Sequence, residues 1–299
     1  MRVQAAADSV RRHIGASIFE KVAGPKGPNH RQVIHLAEGD RWFAEDRPIR
    51  QVHGDSSMFV GGIRALLLQS LHPLAMAGVD AHSGYQGDPW GRLQRTSYFL
   101  AVTTFGRASD AAAATARVRA IHRRVTGTAP DGRPYAASDP HLLTWVHIAE
   151  ADSFLRAHTR FGAEPLDQAG RDGYVADVAR IAVELGVPDP PRTEAELEDR
   201  ISQYRAELRG TAEARAAARF LLLTPPLPMV ARAPYGVLAA AATSLLPGWA
   251  RRPLYLPYLP LTERAVVRPA GHAIIRGIRW AISPPPRVQV TGAEMTVPR

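Results

Sequence analysis

Residues 139–162 read DPHLLTWVHIAEADSFLRAHTRFG, and this stretch decides the fold class. Asp139 can accept hydrogen bonds from the free amides of a first helical turn, and Pro140 suits the first helical position, where no N–H is needed. Leu142, Leu143 and Val146 then open an apolar stripe, which predicts a helix over Pro140–Phe161. That start sets the phase. Leu143, His147, Glu150 and Phe154 follow at spacings of four, three and four, so they share one face, directed toward packed surface.

Outward from this helix the same 3.6-residue period recurs, broken by Pro and Gly, with few alternating Val/Ile/Thr runs. Helices are predicted over Ala5–Val22, Arg31–Ala44, Ser57–Val79, Pro89–Phe105, Ala108–Thr126, Leu166–Leu185, Glu194–Arg209, Ala212–Leu222, Met229–Leu246 and Leu261–Trp280. The class is all-α, and residues 1–299 read as one domain of about ten helices. No repeat period is visible. Residues 247–260, with four prolines, form an extended connection, and Asp131-Gly132 and Asp172-Gly173 read as turns.

Composition narrows the chemistry. With 299 residues and 45% hydrophobic content the chain can bury a sizeable core. It has no cysteine, which removes disulfides, iron–sulfur clusters, thiolate-bound or CxxCH-attached haem and Cys-ligated zinc. A metal would have to be held by His, carboxylate or Tyr. Near the start, Glu20 and Lys21 interrupt what a signal peptide would need as a continuous apolar run, and the weakly polar run 234–250 falls short of a membrane span. A cytoplasmic location is the expectation. The formal charge of +9 is spread over many helical faces with no DNA-reading motif, so no nucleic-acid partner is expected. The basic C-terminal part, with Arg251, Arg252, Arg264, Arg268 and Arg276 among Leu, Tyr and Trp, is a candidate surface for peripheral contact with anionic lipid.

Chemistry-bearing residues concentrate between Asp80 and Phe161. In the helix predicted over Ala108–Thr126, the inner stripe is Ala114, Val118, Ile121 and Val125; His122 borders it, and Arg119 lies one turn earlier. On the helix opened by Pro89, Arg92, Arg95, Thr96 and Phe99 form one partly cationic face, which suits either solvent or a buried anionic group. A neutral helical imidazole is a good axial ligand for haem iron, and arginines can pair with haem carboxylates. His122 and His147 both qualify, with Glu150 as an orienting carboxylate for the latter, and spacing alone does not choose between them. His82 follows a helix in a Ser-Gly-Tyr turn, at a position suited to a loop role or to a cofactor edge. No HExxH, GxSxG, P-loop or GxGxxG occurs, which leaves hydrolase, phosphoryl-transfer and dinucleotide readings without support.

Several separated motifs in this block, LLLQSLHPLAMAGVDAHS (66–83), DPWGRLQRT (88–96), Phe105-Gly106, VRAIHRRVTG (118–127) and DGRPYAASDPHLLTWVH (131–147), occur in an order that resembles the MpaB and latex-clearing-protein (rubber oxygenase) family, over about Gly54–Phe161. The resemblance implies an all-α fold with a globin-like core and a non-covalent haem b. It also implies His122 as the axial iron ligand, Arg119 beside it, and Arg92, Arg95 and Thr96 on the ligand side. His82 and His147 remain further cofactor-facing candidates. The sequence departs from the family in two places: Arg95 stands where rubber oxygenases carry a lysine, and no acid stands where they carry a distal glutamate. What is implied is an enzyme that uses dioxygen on a small apolar substrate, isoprenoids included, with an electron donor as a further partner. The alternative is a haem-binding protein without turnover, acting as sensor, carrier or peroxide scavenger.

Overall fold

A computed structural model describes residues 2–84 and 87–282. The chain runs through α1 (Arg2–Ala23), α2 (Gly27–Leu36), α3 (Pro48–Gly54), α4 (Met58–Gln69), α5 (Pro73–His82), α6 (Pro89–Phe105) and α7 (Ala108–His122). A short antiparallel hairpin of β1 (Thr126–Thr128) and β2 (Pro134–Ala136) leads into α8 (Pro140–Phe161). Next come α9 (Gln168–Leu185), α10 (Glu194–Tyr204), α11 (Ala212–Leu223), α12 (Met229–Ser244), α13 (Gly248–Arg251) and a 3-10 turn (Arg252–Leu254). The described chain closes with α14 (Pro260–Thr262), which continues through a π-helical turn (Glu263–Val267) into α15 (Arg268–Ile282). The fold is all-α.

α8 is the axis of the core. Its cap is the one the sequence predicts: the Asp139 carboxylate accepts from the amide of His141 at 2.9 Å, with Pro140 in the first turn. Trp145, Ile148, Phe154, Leu155 and Phe161 on this helix are buried. α4 packs most extensively against it, and Gly61 sets how close the two come. A Cβ at Gly61 would lie 2.6 Å from Phe154 Cδ1 and 3.2 Å from its Cα, so the crossing admits no larger residue without movement. Trp145 completes the contact by donating Nε1–H to the Gln69 carbonyl at the end of α4, 3.1 Å away.

Four local readings are revised. The helix expected over Ser57–Val79 is two helices, α4 and α5, bent by 109° at Ser70–His72. Pro73 cannot donate to the preceding turn, so it starts a new helix, with His72 as its cap. The helix expected over Arg31–Ala44 begins earlier, at Gly27 with Pro28 in its first turn, and ends at Leu36, where Ala37 turns extended; Pro48 then opens α3. α7 stops at His122, and the hairpin follows with the predicted turn at Gly132, where φ is +86°. Its strands are three residues each, too short to show an alternating pattern. Finally, the inward face of α7 is Ala111, Thr115, Val118 and His122, whereas Ile121 is 50% exposed. The stripe is rotated so that His122 sits on it rather than at its border.

Among the described residues no single helix is long and apolar enough to cross a membrane. One member of the predicted lipid-facing arginine set is withdrawn. Arg251 is buried and donates to the Leu246 and Ser244 carbonyls and to Glu263, so it ties α13 to the turn after α14.

Candidate functional site

Between α8 and its neighbours lies an apolar pocket that is partly open to solvent. The face predicted on α8 lines it: Leu143, His147, Glu150 and Phe154 all contribute. α3 supplies His53, α6 supplies Phe99 and Leu100, and α7 supplies His122. α9 adds Tyr174, Val178, Ile181, Ala182 and Leu185, and Val187 follows it. The wall is thus mostly aliphatic and aromatic, with five polar side chains converging from four helices.

An apolar wall changes those five groups. Burial lowers the His147 imidazole to about 4 and the His53 imidazole to about 3, and it lowers His122 in the same direction. All three are therefore neutral near pH 7 and keep a lone pair. Burial pushes the Glu150 carboxyl up to about 7, so it holds or releases a proton in the physiological range. Tyr174 is raised by burial and by the nearby carboxylates, and it stays a phenol.

Their hydrogen bonds differ. His53 is satisfied, with Nδ1 2.8 Å from Thr104 Oγ1 and Nε2 3.4 Å from the Tyr174 hydroxyl. His122 Nδ1 and His147 Nε2 are buried with no partner. A buried imidazole nitrogen without a partner costs about 1–3 kcal/mol, and two in one cavity is the arrangement of a site built for something else to satisfy. A bare ion held by three cavity donors is not that arrangement. Among the described residues the one His/Asp/Glu trio whose donor atoms lie within 4.8 Å of one another is His72, His141 and Glu207, outside the cavity wall.

Of the sequence candidates, His122 and His147 come together here, from different helices. The others lie elsewhere. Arg119 is exposed on α7, and His82 is exposed at the end of α5, its ring centroid 6.1 Å from that of Tyr135. Arg95 is 66% exposed and paired with Asp88 at 3.2 Å. Thr96 is exposed and donates to the Arg92 carbonyl, while half-buried Arg92 reaches Ser83 Oγ at 3.4 Å. Only the next residue of that face, Phe99, reaches the cavity, so the α6 stripe runs from solvent to the site wall. His53 and Tyr174 were not singled out from the sequence. They are 121 positions apart and join the site through tertiary contact, with no local spacing to mark them.

The fold and the site together define an all-α domain with an apolar cavity that carries neutral histidines and a protonatable carboxyl. More specifically, the chain belongs to the family described as ER-bound oxygenase mpaB/B'/Rubber oxygenase, catalytic domain, whose model matches residues 50–280. Every residue of the cavity wall falls in that span. It is similar to the uncharacterized proteins Mb2261 of Mycobacterium bovis and Rv2237 of Mycobacterium tuberculosis, 35% identical to each over 111 residues. The match covers 37% of this chain and 43% of each relative. No solved structure matches.

Proposed function

We propose that the chain is a haem b-dependent oxygenase that uses dioxygen on a small apolar substrate, isoprenoids included. The observation that carries the reading is the pair of unpartnered buried imidazole nitrogens, on His122 and His147, in one apolar cavity. The residues present fit a haem: neutral imidazoles are the form that binds iron, and the aliphatic wall suits a flat apolar ring. Haem, when bound, supplies an iron that takes up dioxygen and delivers it to an organic substrate.

The protein's own groups do the rest. His122 would hold the iron from α7, and His147 would face the cofactor from α8. Glu150, three residues from His147 on the same helix face, gives or takes a proton in an apolar space. His53 is held by Thr104 and Tyr174, so it presents a fixed polar edge. Arg119, exposed on α7, would pair with a cofactor carboxylate that reaches solvent, and Arg92 lies with Arg95 and Thr96 on α6. Arg95 and Thr96, on the exposed half of α6, would act at the approach to the cavity, while His82 lies outside its wall. Arg95 remains a cation at any physiological pH, so it does not serve as a base.

Titration of purified protein with hemin tests the reading. A saturating 1:1 Soret band is expected, lost or strongly weakened in His122→Ala. No band in the wild type, or equal binding by the variant, rejects the assignment. Oxygen uptake coupled to product formation then separates an oxygenase from a haem carrier or sensor.

A further inference from the structure

Outside the cavity, three side chains from distant parts of the chain converge at the start of α8. His72 caps α5, His141 is in the first turn of α8, and Glu207 follows α10. His141 Nε2 lies 2.8 Å from Glu207 Oε2, and His72 Nε2 lies 3.4 Å from the same oxygen. Three donor atoms of one tetrahedral ion, each bonded at ~2.0 Å, lie about 3.3 Å apart, close to this spacing.

Two independent observations show that these groups are arranged rather than merely adjacent. His72 is 2% exposed, and its Nε2, aimed at the cluster, makes no well-aligned hydrogen bond although Glu207 Oε2 lies 3.4 Å away. His141 is oriented from behind. The Tyr204 hydroxyl donates to the His141 carbonyl at 2.8 Å, so its oxygen is left to accept from His141 Nδ1–H at 3.1 Å, and the two rings stack 4.5 Å apart. Held in this way, His141 points its Nε2 at Glu207 Oε2, the oxygen that His72 Nε2 also faces, so three potential donor atoms converge on one point. The opposing groups are few. Arg133 is nearby, but Asp131 engages its guanidinium at 2.7 Å. His72 Nδ1 accepts the Ala75 amide at 3.5 Å, a contact at the outer limit, which is given up when the ring proton moves to Nδ1 and frees Nε2.

We propose that His72, His141 and Glu207 form a site for one divalent first-row transition-metal ion, zinc being the best match, with Tyr204 positioning His141. Two imidazoles and one carboxylate suit zinc and disfavour magnesium and calcium, which take all-oxygen sets. The fourth position is open to solvent, since His141 and Glu207 are half-exposed. The ion ties the starts of α5 and α8 to the segment after α10. The site does not depend on haem.

The test is calorimetric titration of zinc chloride into chelator-treated full-length protein without haem, followed by cobalt chloride with visible absorption. One zinc ion per chain is expected, with the d–d bands of a low-coordinate cobalt site and no response to magnesium chloride. His141→Ala and Glu207→Gln should each weaken zinc by more than about tenfold, and Tyr204→Phe by about tenfold through loss of the orienting hydroxyl. Glu207 is half-exposed, so its variant leaves the fold intact, and an unchanged far-UV spectrum confirms that. Equal zinc affinity in wild type and Glu207→Gln, or an octahedral cobalt spectrum, overturns the site. Hemin binding in the same Glu207→Gln protein reports separately on the cavity.

Discussion

Two neighbouring turns of α8 handle polar side chains in opposite ways. Toward α9 and α7, His147 and Glu150 face an apolar cavity, neutral or nearly so, and His147 Nε2 has no partner. Toward α4 and α10, Asp152 is 5% exposed but fully paired: Arg64 reaches it at 2.7 Å and Arg156 at 3.1 Å. Arg64 also donates to Ser153 and to the Leu245 carbonyl, and Arg156 goes on to Glu194 and Glu198. The difference is one of partners: buried Asp152 is surrounded by cations, whereas His147 is left unsatisfied and both it and Glu150 have shifted protonation.

The comparison can be broken first at the paired side. Asp152→Ala strands the Arg64 guanidinium in the core and should cost about 3–5 kcal/mol of unfolding free energy, read from urea denaturation. A loss under ~1 kcal/mol would mean that the network is ornamental. On the cavity side, Glu150 has a folded pKa raised from 4.5 to about 7. The folded state therefore holds its proton over a range where the unfolded chain has released it. Stability from this group is full below pH 4.5 and falls as pH rises toward 7, by about 3 kcal/mol at most. Glu150→Gln should remove that slope and be more stable than wild type at pH 8; parallel pH profiles for the two proteins would contradict the assignment.

His147 has the opposite sign. Its folded pKa is lowered from 6.5 to about 4, so the unfolded chain takes up a proton first as the pH falls. Stability is full above pH 6.5 and is lost toward pH 4, by about 3 kcal/mol at most, and His147→Leu should flatten that acid limb while changing stability at pH 7 by less than ~1 kcal/mol. The smallest effect belongs to the packing that brings the two faces together. Gly61→Ala places a methyl group 2.6 Å from Phe154 Cδ1 and should cost about 1–3 kcal/mol, with thermal unfolding as the readout.

Much of the fold was legible because helices announce themselves locally. The Asp139 cap, Pro140 and the 143/147/150/154 spacing identified α8 and the face that became the cavity wall. The break at Pro73 was written in the sequence too, but the apolar run through Leu71 outweighed it; the 109° bend follows from the missing amide. The site was half legible. His122 and His147 were recognisable as candidates on their own helices, whereas His53 and Tyr174 carried no signal. The exposed places of Arg95, Thr96 and Arg119 reflect helix phase and cover by neighbouring helices, which a spacing pattern leaves open.

Periodicity and capping act over a few residues, and for that reason the sequence by itself determined the all-α class, the major helices and the orientation of α8. The family motifs in residues 54–161 pointed to the family whose model matches residues 50–280. Tertiary structure alone decided which polar groups are paired and which are left bare. Whether Asp152 meets Arg64 or Glu150 meets an empty apolar wall depends on helices that arrive from elsewhere in the chain. Desolvation, the force that moves Glu150 to about 7 and His147 to about 4, exists only once they have packed.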